Sequence, residues 1–301
     1  MVFWLKRMFF WVVFRLDQML PPSLGVLVRN RTWPWGRPVL DAVELHVTDH
    51  CNMNCTGCSH FSPFSPKWFA DIPSTLRDLK ALRARFRRIR HVNLLGGEPL
   101  LHPRCGELVA GVRSVCPDAV ITVVTNGLAL RPARDGTDGP SAVADAFLSA
   151  CRENRARVKW TLYPPMRAFR RQVQEMFRKA GVSLRIEEGD EFWARLVPEG
   201  NVDVRKAFRF CRRMMYCPYL RDGRLYTCAQ AYHLKDVAAK AGFTAPPAGG
   251  MDVYDDALTG REMLRRLMSP CAACAYCADS VRLMRWSRGG TNAAEWMRRD
   301  G

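Results

Sequence analysis

Apolar residues follow two alternating patterns along the chain after Pro38. Short runs rich in β-branched residues are typical of buried strands, and they alternate with segments whose apolar residues recur at helical spacing. The predicted strands cover residues 42–48, 91–95, 120–125, 158–163 and 183–187, and the predicted helices cover residues 74–88, 107–115, 141–154 and 167–180. Because strands that alternate with helices form parallel sheets through right-handed crossovers, the pattern predicts an α/β fold with at least five parallel strands.

The composition is that of a folded protein with a sizeable core. The chain has 301 residues, of which 48% are hydrophobic and 25% are charged, and this excludes a disordered protein. Its 12 cysteines cluster at ligand-like spacings, which favours metal binding in a reducing cytoplasm over a secreted disulfide scaffold. Three cysteines stand apart from these clusters within helical patterns, and we expect Cys105, Cys116 and Cys151 to be buried apolar residues.

The amino-terminal segment, residues 1–38, is apolar and aromatic with interspersed cations. Its uncharged run from Met8 to Phe14 is far shorter than the ~20 residues that a membrane-spanning helix needs. Two interpretations stay open: a helix at the inner membrane surface, or a helix docked on the protein's own fold. The net charge of +17 is spread over the chain and suits anionic partners, but without a recognised nucleic-acid-binding module we do not expect nucleic acid among them.

Candidate chemistry begins directly after the first predicted strand, where Cys51, Cys55 and Cys58 follow the spacing C-x3-C-x2-C. A cubane iron–sulfur cluster takes four thiolates, so three from one loop leave one iron open for a substrate or cofactor. Structural zinc is the alternative, with His50 or His60 as its fourth ligand, and disulfide formation or core packing would explain the cysteines without a metal.

Two further motifs lie at the ends of the next predicted strands. They are Leu94-Leu95-Gly96-Gly97-Glu98-Pro99 and the β-branched run that ends in Thr125-Asn126-Gly127. Alone, each would be interpreted as a turn. After C-x3-C-x2-C, the set resembles the radical S-adenosylmethionine (radical SAM) enzymes.

This resemblance implies a role for each motif. The three cysteines would hold a [4Fe–4S] cluster, the turn of Gly96, Gly97 and Glu98 would receive the amino group of SAM, and Thr125 and Asn126 would lie near its ribose or carboxylate. One position departs from the family, because the residue before the third cysteine is commonly aromatic and here it is Gly57.

The resemblance also implies a fold and an activity. Residues 39–205 would form an open, partial (β/α)6 barrel, and barrels bind their ligands at the carboxyl ends of the strands. The enzyme would reductively cleave SAM to a 5′-deoxyadenosyl radical that abstracts hydrogen from a substrate. An electron donor such as flavodoxin or ferredoxin would supply the electron. The sequence does not assign catalytic residues that act on the substrate.

The last third of the chain, residues 206–301, carries six more cysteines. A predicted hairpin with an Asp222-Gly223 turn precedes Cys228, and the region resembles the auxiliary-cluster domains called SPASM and twitch. Six cysteines suit one auxiliary [4Fe–4S] cluster. The preferred ligands are Cys211, Cys228, Cys274 and Cys277; Cys271 and Cys217 are alternatives, and structural zinc is the alternative metal.

The substrate follows less directly from the sequence. A sugar, amino-cyclitol or polysaccharide precursor is the preferred class, and the alternative is a peptide modified by a radical SAM maturase. Four residues at or just beyond predicted strand ends are candidates to face the substrate: Tyr163, Arg167, Glu187 and Glu188. A non-catalytic iron–sulfur electron carrier is the alternative from another class. It explains the cysteines but not Gly96-Gly97-Glu98.

Overall fold

The computed structural model describes residues 36–131, 142–214, 216–281, 283–289 and 292–296. The predictions for the amino-terminal segment up to residue 35, for the surface excursion at 132–140 and for a helix start at residue 141 lie outside these ranges. Within the described residues, every helix is too short or too polar to cross a bilayer.

The strands and helices largely follow the predicted order. The strands are β1 (Val39–Thr48), β2 (Arg88–Gly96), β3 (Val120–Thr125), β4 (Arg157–Leu162), β5 (Leu184–Glu188), β6 (Glu191–Trp193), β7 (Tyr219–Arg221), β8 (Arg224–Tyr226), β9 (Met251–Asp252) and β10 (Leu283–Arg285). The α-helices are α1 (Ile72–Arg85), α2 (Cys105–Val115), α3 (Ala142–Glu153), α4 (Arg170–Ala180), α5 (Val204–Met214), α6 (Ala229–Ala241) and α7 (Gly260–Leu267).

Two helices do not begin as predicted. Helix α1 starts two residues earlier than predicted, because the Asp71 carboxylate caps it by accepting a hydrogen bond from the Ser74 backbone N–H at 3.0 Å. The helix predicted from Arg167 begins as a 3-10 helix, Pro164–Phe169, before α4 continues it.

The main sheet has eight strands in the order β5-β4-β3-β2-β1-β7-β8-β9. Strands β1 to β5 pair in parallel, and β7 adds a sixth parallel strand beside β1. The predicted α/β fold, with its largely parallel central sheet, is confirmed. The predicted hairpin is present as β7 and β8, and its turn residues Asp222 and Gly223 have φ of 50° and 69°, as a type I′ turn requires. Because β7 also pairs with β1, the hairpin extends the main sheet.

The two faces of the parallel strands differ in polarity, because successive side chains point to opposite faces. One face packs against the helices, and its residues belong to the main hydrophobic core: Val43, Leu45, Val92, Leu94, Ile121, Val123, Val158 and Trp160. The other face carries polar residues at the intervening positions, among them Glu44, Asn93, Thr122, Lys159 and Thr161. Polar side chains at the centre of a sheet indicate a face that borders a cavity instead of a packed core.

Three predicted core cysteines are buried as expected, with Cys105 at 4%, Cys116 at 2% and Cys151 at 0% exposure, and all three lie in the main core. A second, smaller core joins the loop after Cys58 to the carboxy-terminal third of the chain. It contains Phe61 and Phe64 from that loop, Leu234 and Val237 from α6, and Trp296. Packing thus brings the end of the described chain against the first cysteine motif.

Candidate active site

The loop with the first cysteine motif follows β1 at the carboxyl-end edge of the parallel strands. Cys51, Cys55 and Cys58 all border one large cavity, and the same cavity is lined by Gly96 and Gly97. The structure therefore brings together two motifs that lie about 40 residues apart in the sequence. A cavity at this edge is where parallel α/β proteins bind their ligands.

The glycine turn after β2 lies directly against the cysteine loop. The backbone N–H of Gly97 donates to the Thr48 carbonyl at 2.6 Å, and that of Glu98 donates to the His50 carbonyl at 2.9 Å. A Cβ on Gly97 would lie 2.1 Å from the His50 carbonyl oxygen, so only glycine permits this approach. The contact holds the turn and the cysteine loop in fixed relative positions.

Glu98 is completely buried, and its carboxylate accepts three hydrogen bonds. The donors are Thr125 Oγ1 at 2.6 Å, the Asn126 backbone N–H at 2.7 Å and the Leu100 backbone N–H at 3.1 Å. Burial raises the pKa of Glu98 to about 7, although these donors oppose the rise. The side chain does not border the large cavity. Direct contact between Glu98 and SAM stays a prediction. The hydrogen bonds of Glu98 connect the turn after β2 to the end of β3.

Thr125 and Asn126 both border the cavity. The Asn126 side-chain amide donates to Asn52 Oδ1 at 2.9 Å, so Asn126 lies against the cysteine loop. Its own backbone carbonyl accepts from the indole N–H of buried Trp160 at 3.2 Å. The third predicted motif is therefore fixed beside the first two.

The three thiols suit a soft, cationic metal group. Burial raises the pKa of Cys51 and of Cys55 to about 12, and the neighbouring thiols add to the rise. Buried thiols of this kind become thiolates only when a cation compensates their charge. Cys58 differs from these two thiols: burial acts to raise its pKa, but hydrogen bonding from His60 lowers it. A loop of these three sulfurs fits an iron–sulfur cluster bound through three of its irons.

The wall of the cavity includes residues that sequence reasoning missed. Glu44, Asn93 and Lys159 line it, and His60 lies 3.9 Å from Glu44 between imidazole and carboxylate atoms. In the sequence, such a residue can be found as an isolated polar residue inside an apolar strand, as in Val43-Glu44-Leu45.

The four residues proposed to face the substrate separate into two groups. Tyr163 borders the cavity, and Glu187 reaches its wall through an ion pair with Lys159 at 2.5 Å. Arg167 pairs with Asp190, and Glu188 pairs with Arg170 at 3.0 Å, in half-exposed positions that do not line the cavity.

A second, smaller cavity is lined by all six late cysteines together with mainly apolar residues. These cysteines come from separate elements: Cys211 from α5, Cys217 from the segment before β7, Cys228 from the start of α6, and Cys271, Cys274 and Cys277 from the 3-10 turn at Ala272–Tyr276. Residues far apart in sequence thus converge as thiols on one apolar space. This donor set also fits an iron–sulfur cluster.

Within this group, Cys277 lies at the centre of the electrostatic contacts. Burial raises its pKa, and the nearby thiols of Cys228, Cys211 and Cys271 raise it further. The Sγ atoms of Cys271 and Cys274 are 3.8 Å apart. Cys277 is therefore close to both Cys211 and Cys228, two members of the preferred set.

Two solved structures align with parts of this chain at low sequence identity. The complex of BtrN with AdoMet and 2-DOIA aligns with 82% of this chain and 100% of that chain, at 13% identity and a TM-score of 0.49. Streptococcus suis SuiB bound to S-adenosylmethionine aligns with 53% of this chain and 35% of that chain, at 14% identity and a TM-score of 0.38.

Curated relatives match a shorter part of the chain. The GTP 3′,8-cyclase of Acidothermus cellulolyticus is 36% identical over 110 residues, which is 33% of this chain and 30% of that protein. The GTP 3′,8-cyclase of Chlorobaculum tepidum is 33% identical over 131 residues, which is 40% of this chain and 39% of that protein. The chain thus covers less than half the length of either relative. Residues 45–150 match the model of the radical SAM superfamily, whose members use a [4Fe–4S] cluster and SAM.

Proposed function

We propose that this protein is a radical SAM enzyme in which Cys51, Cys55 and Cys58 hold the [4Fe–4S] cluster. The observation that carries the proposal is one cavity bordered by these three thiols together with Gly96, Gly97 and Asn126. When bound, the cluster and SAM would supply radical chemistry: reductive cleavage of SAM would give a 5′-deoxyadenosyl radical able to abstract hydrogen from the substrate. The electron comes from a donor such as flavodoxin or ferredoxin, and the chain's net charge of +17 favours acidic proteins of this kind.

The residues of the chain bind and orient these groups. The backbone at Gly96 and Gly97 is open to the cavity, and it receives the amino end of SAM. Thr125 and Asn126 bind the ribose or carboxylate from the neighbouring strand. Glu98 fixes both residues through two of its three hydrogen bonds and so acts as a positioning residue for the SAM site.

The second cavity would hold an auxiliary [4Fe–4S] cluster, in a SPASM or twitch-like region. Its ligands would be Cys211, Cys228, Cys277 and one further cysteine, for which Cys274 is preferred. The convergence of six thiols from separate elements on one apolar cavity supports this proposal. The electrostatic proximity of Cys277 to Cys211 and Cys228 supports the inclusion of all three.

The substrate is a small, hydroxylated molecule such as a sugar, amino-cyclitol or polysaccharide precursor. Carboxylate, amide, hydroxyl and ammonium groups from four strands line the cavity: Glu44, Asn93, Thr122, Lys159 and Thr161. These groups donate and accept hydrogen bonds of the kind that a polyol or amino sugar offers. The enzyme acts on it by dehydrogenation or a related modification.

The test is anaerobic reconstitution of the full chain with iron, sulfide, SAM and a reductant. We expect 5′-deoxyadenosine from the wild type, and none from a Cys51→Ala/Cys55→Ala/Cys58→Ala variant that has also lost about half of the bound iron. Cys116→Ala is the matched control, because this cysteine is buried in the main core away from both cavities. It should retain iron and SAM cleavage.

Two results would contradict the proposal. A fully iron-loaded wild type that forms no 5′-deoxyadenosine would be the electron carrier considered above. Protein that takes up zinc instead of iron at the first motif would favour the structural-zinc alternative.

Once cleavage of SAM is established, the substrate class is identified by testing which compounds the enzyme consumes. The compounds to test are sugars, amino-cyclitols, peptides and GTP, the last suggested by the relatives' names.

A further inference from the structure

The cysteine loop is held by a segment from the carboxy-terminal end of the described chain. Strand β10 pairs antiparallel with β6, and the residues after it run along the loop. The Thr56 backbone N–H donates to the Ser287 carbonyl at 3.1 Å, and the Gly289 N–H donates to the Asn54 carbonyl at 2.9 Å. The Arg288 guanidinium donates to the Asn52 carbonyl at 3.1 Å. Residues 283–289, here named the C-terminal strap, therefore fix the loop between its cysteines.

Trp286 lies in the C-terminal strap and contacts a cysteine of the motif directly. Its indole Nε1 is 3.1 Å from Cys55 Sγ, across 231 residues of sequence. Because the indole N–H is only a donor, the sulfur is the acceptor. The Trp286 backbone N–H donates to the Asp190 carbonyl at 2.7 Å, and its ring packs 5.9 Å from the ring of Tyr163. These contacts aim the N–H at the sulfur.

The C-terminal strap also occupies the place left by the unusual glycine in the motif. Gly57 has φ of +80°, and a Cβ there would lie 2.7 Å from Met284 Sδ and 3.2 Å from Phe192 Cβ. Side chains from β10 and β6 therefore fill the space beside the third cysteine that the family commonly fills with an aromatic residue of the motif itself. Gly57 and the contact of Trp286 with Cys55 thus both lie where the strap closely approaches the cysteine loop.

A hydrogen bond to a cluster sulfur changes the energy of the cluster's two redox states by different amounts. Reduction adds negative charge that is shared with the ligating sulfurs, and an N–H donor stabilises the more negative state. We propose that Trp286 is a positioning residue whose indole N–H, held on Cys55 by the C-terminal strap, raises the reduction potential of the cluster bound by Cys51, Cys55 and Cys58. This proposal rests on the proposed function, because it requires Cys55 to be a cluster ligand.

The alternative is that Trp286 only packs the strap against the loop. Trp286→Phe separates the two, since phenylalanine keeps an aromatic ring and removes the N–H. The matched control is Trp193→Phe on the paired strand β6. Trp193 packs against Phe210 and beneath the Arg195 guanidinium instead of against a thiol.

The experiment is a potentiometric titration, followed by electron paramagnetic resonance, of the reconstituted full-length protein. The Cys51→Ala/Cys55→Ala/Cys58→Ala variant identifies the signal of the auxiliary cluster. We expect Trp286→Phe to shift the midpoint of the other signal to a more negative potential, with the equilibrium constant for reduction lowered about threefold to tenfold, from a hydrogen bond worth about 1 kcal/mol. Trp193→Phe should leave the midpoint unchanged. An unchanged midpoint in Trp286→Phe, or an equal shift in both variants, overturns the proposal.

A second measurement decides the question if Trp286→Phe does not load its cluster. Wild-type protein labelled with 15N-tryptophan should show a 15N coupling to the reduced cluster in pulsed spectra, and the absence of that coupling overturns the proposal.

The outcomes also separate this inference from the proposed function. If the triple cysteine variant keeps all of its iron, the cluster assignment fails. If that variant loses a cluster while Trp286→Phe keeps the wild-type midpoint, only the role of Trp286 fails.

Discussion

The buried ion pair between Arg221 and Asp49 connects the carboxy-terminal hairpin to the start of the cysteine loop. Arg221 on β7 is 8% exposed, and Asp49, two residues before Cys51, is 3% exposed. The guanidinium donates to Asp49 Oδ2 and to the Tyr219 hydroxyl, both at 3.1 Å. Burial acts to raise the pKa of Asp49, but hydrogen bonding from His46 and the charge of Arg221 contribute to holding it at about 2. Asp49 is therefore a buried carboxylate that depends on its cation.

We predict that Arg221→Met lowers the free energy of unfolding by about 3 to 5 kcal/mol, the usual cost of leaving one member of a buried pair without its partner. Asp222 adds little to this value, because its side chain is 62% exposed. In the double variant Arg221→Met/Asp49→Asn the unpaired charge is absent. The loss of unfolding free energy in the double variant should therefore be about 2 kcal/mol smaller than the sum of the losses in Arg221→Met and Asp49→Asn.

The assay is anaerobic urea unfolding of the full chain, with the change in midpoint converted through a common m-value. The control is Arg104→Met, which removes an exposed pair with Glu107 at 2.6 Å and should cost less than about 0.5 kcal/mol. If Arg221→Met costs less than about 1 kcal/mol, or if the two single costs add in the double variant, the reasoning about this pair is refuted.

Three further substitutions test the local geometry. Gly97→Ala places a Cβ 2.1 Å from a carbonyl oxygen and should weaken SAM binding at least about tenfold, measured by calorimetry. Gly181→Ala, with open space around the added Cβ, should leave SAM binding unchanged. Equal effects of the two substitutions would contradict the role of the close approach. Gly57→Ala should cost about 1 to 2 kcal/mol in thermal unfolding, because it combines a left-handed φ with overlap; an unchanged melting temperature would argue against a filled space. Thr125→Val leaves the Gly127 N–H, 3.0 Å from Thr125 Oγ1, without its acceptor and should cost about 1 to 3 kcal/mol in urea. Thr122→Val on the same strand faces the cavity and should cost less, so the opposite order would contradict the bracing network.

Much of the main sheet could be predicted because its signals are local. The strand predicted at residues 120–125 is β3 as observed, and the Asp222-Gly223 turn forms the expected hairpin. Both follow from the side-chain volume and backbone freedom of a few neighbouring residues. The three motifs of the candidate active site are also short and contiguous. Their spacing was enough to predict the edge of the sheet at which they meet.

Other features depend on contacts between distant parts of the chain. The sixth parallel strand, β7, pairs with β1 across about 175 residues, and the sequence suggested only its hairpin. The Trp286 contact with Cys55 spans 231 residues, and the pair of Arg221 with Asp49 spans 172. No local periodicity encodes such pairs, since each arises only when packed elements carry two side chains to one place.

The sequence alone therefore determined the α/β alternation, the cysteine motifs and the edge of the sheet at which they meet, because these depend on short-range sterics and on the chemistry of residue types. The tertiary structure decided which polar residues share the cavity, how six late cysteines converge, and that a strap from the far end of the chain holds the first motif. These features depend on where the hydrophobic core places whole elements, and burial of apolar surface sets that placement without regard to distance along the chain.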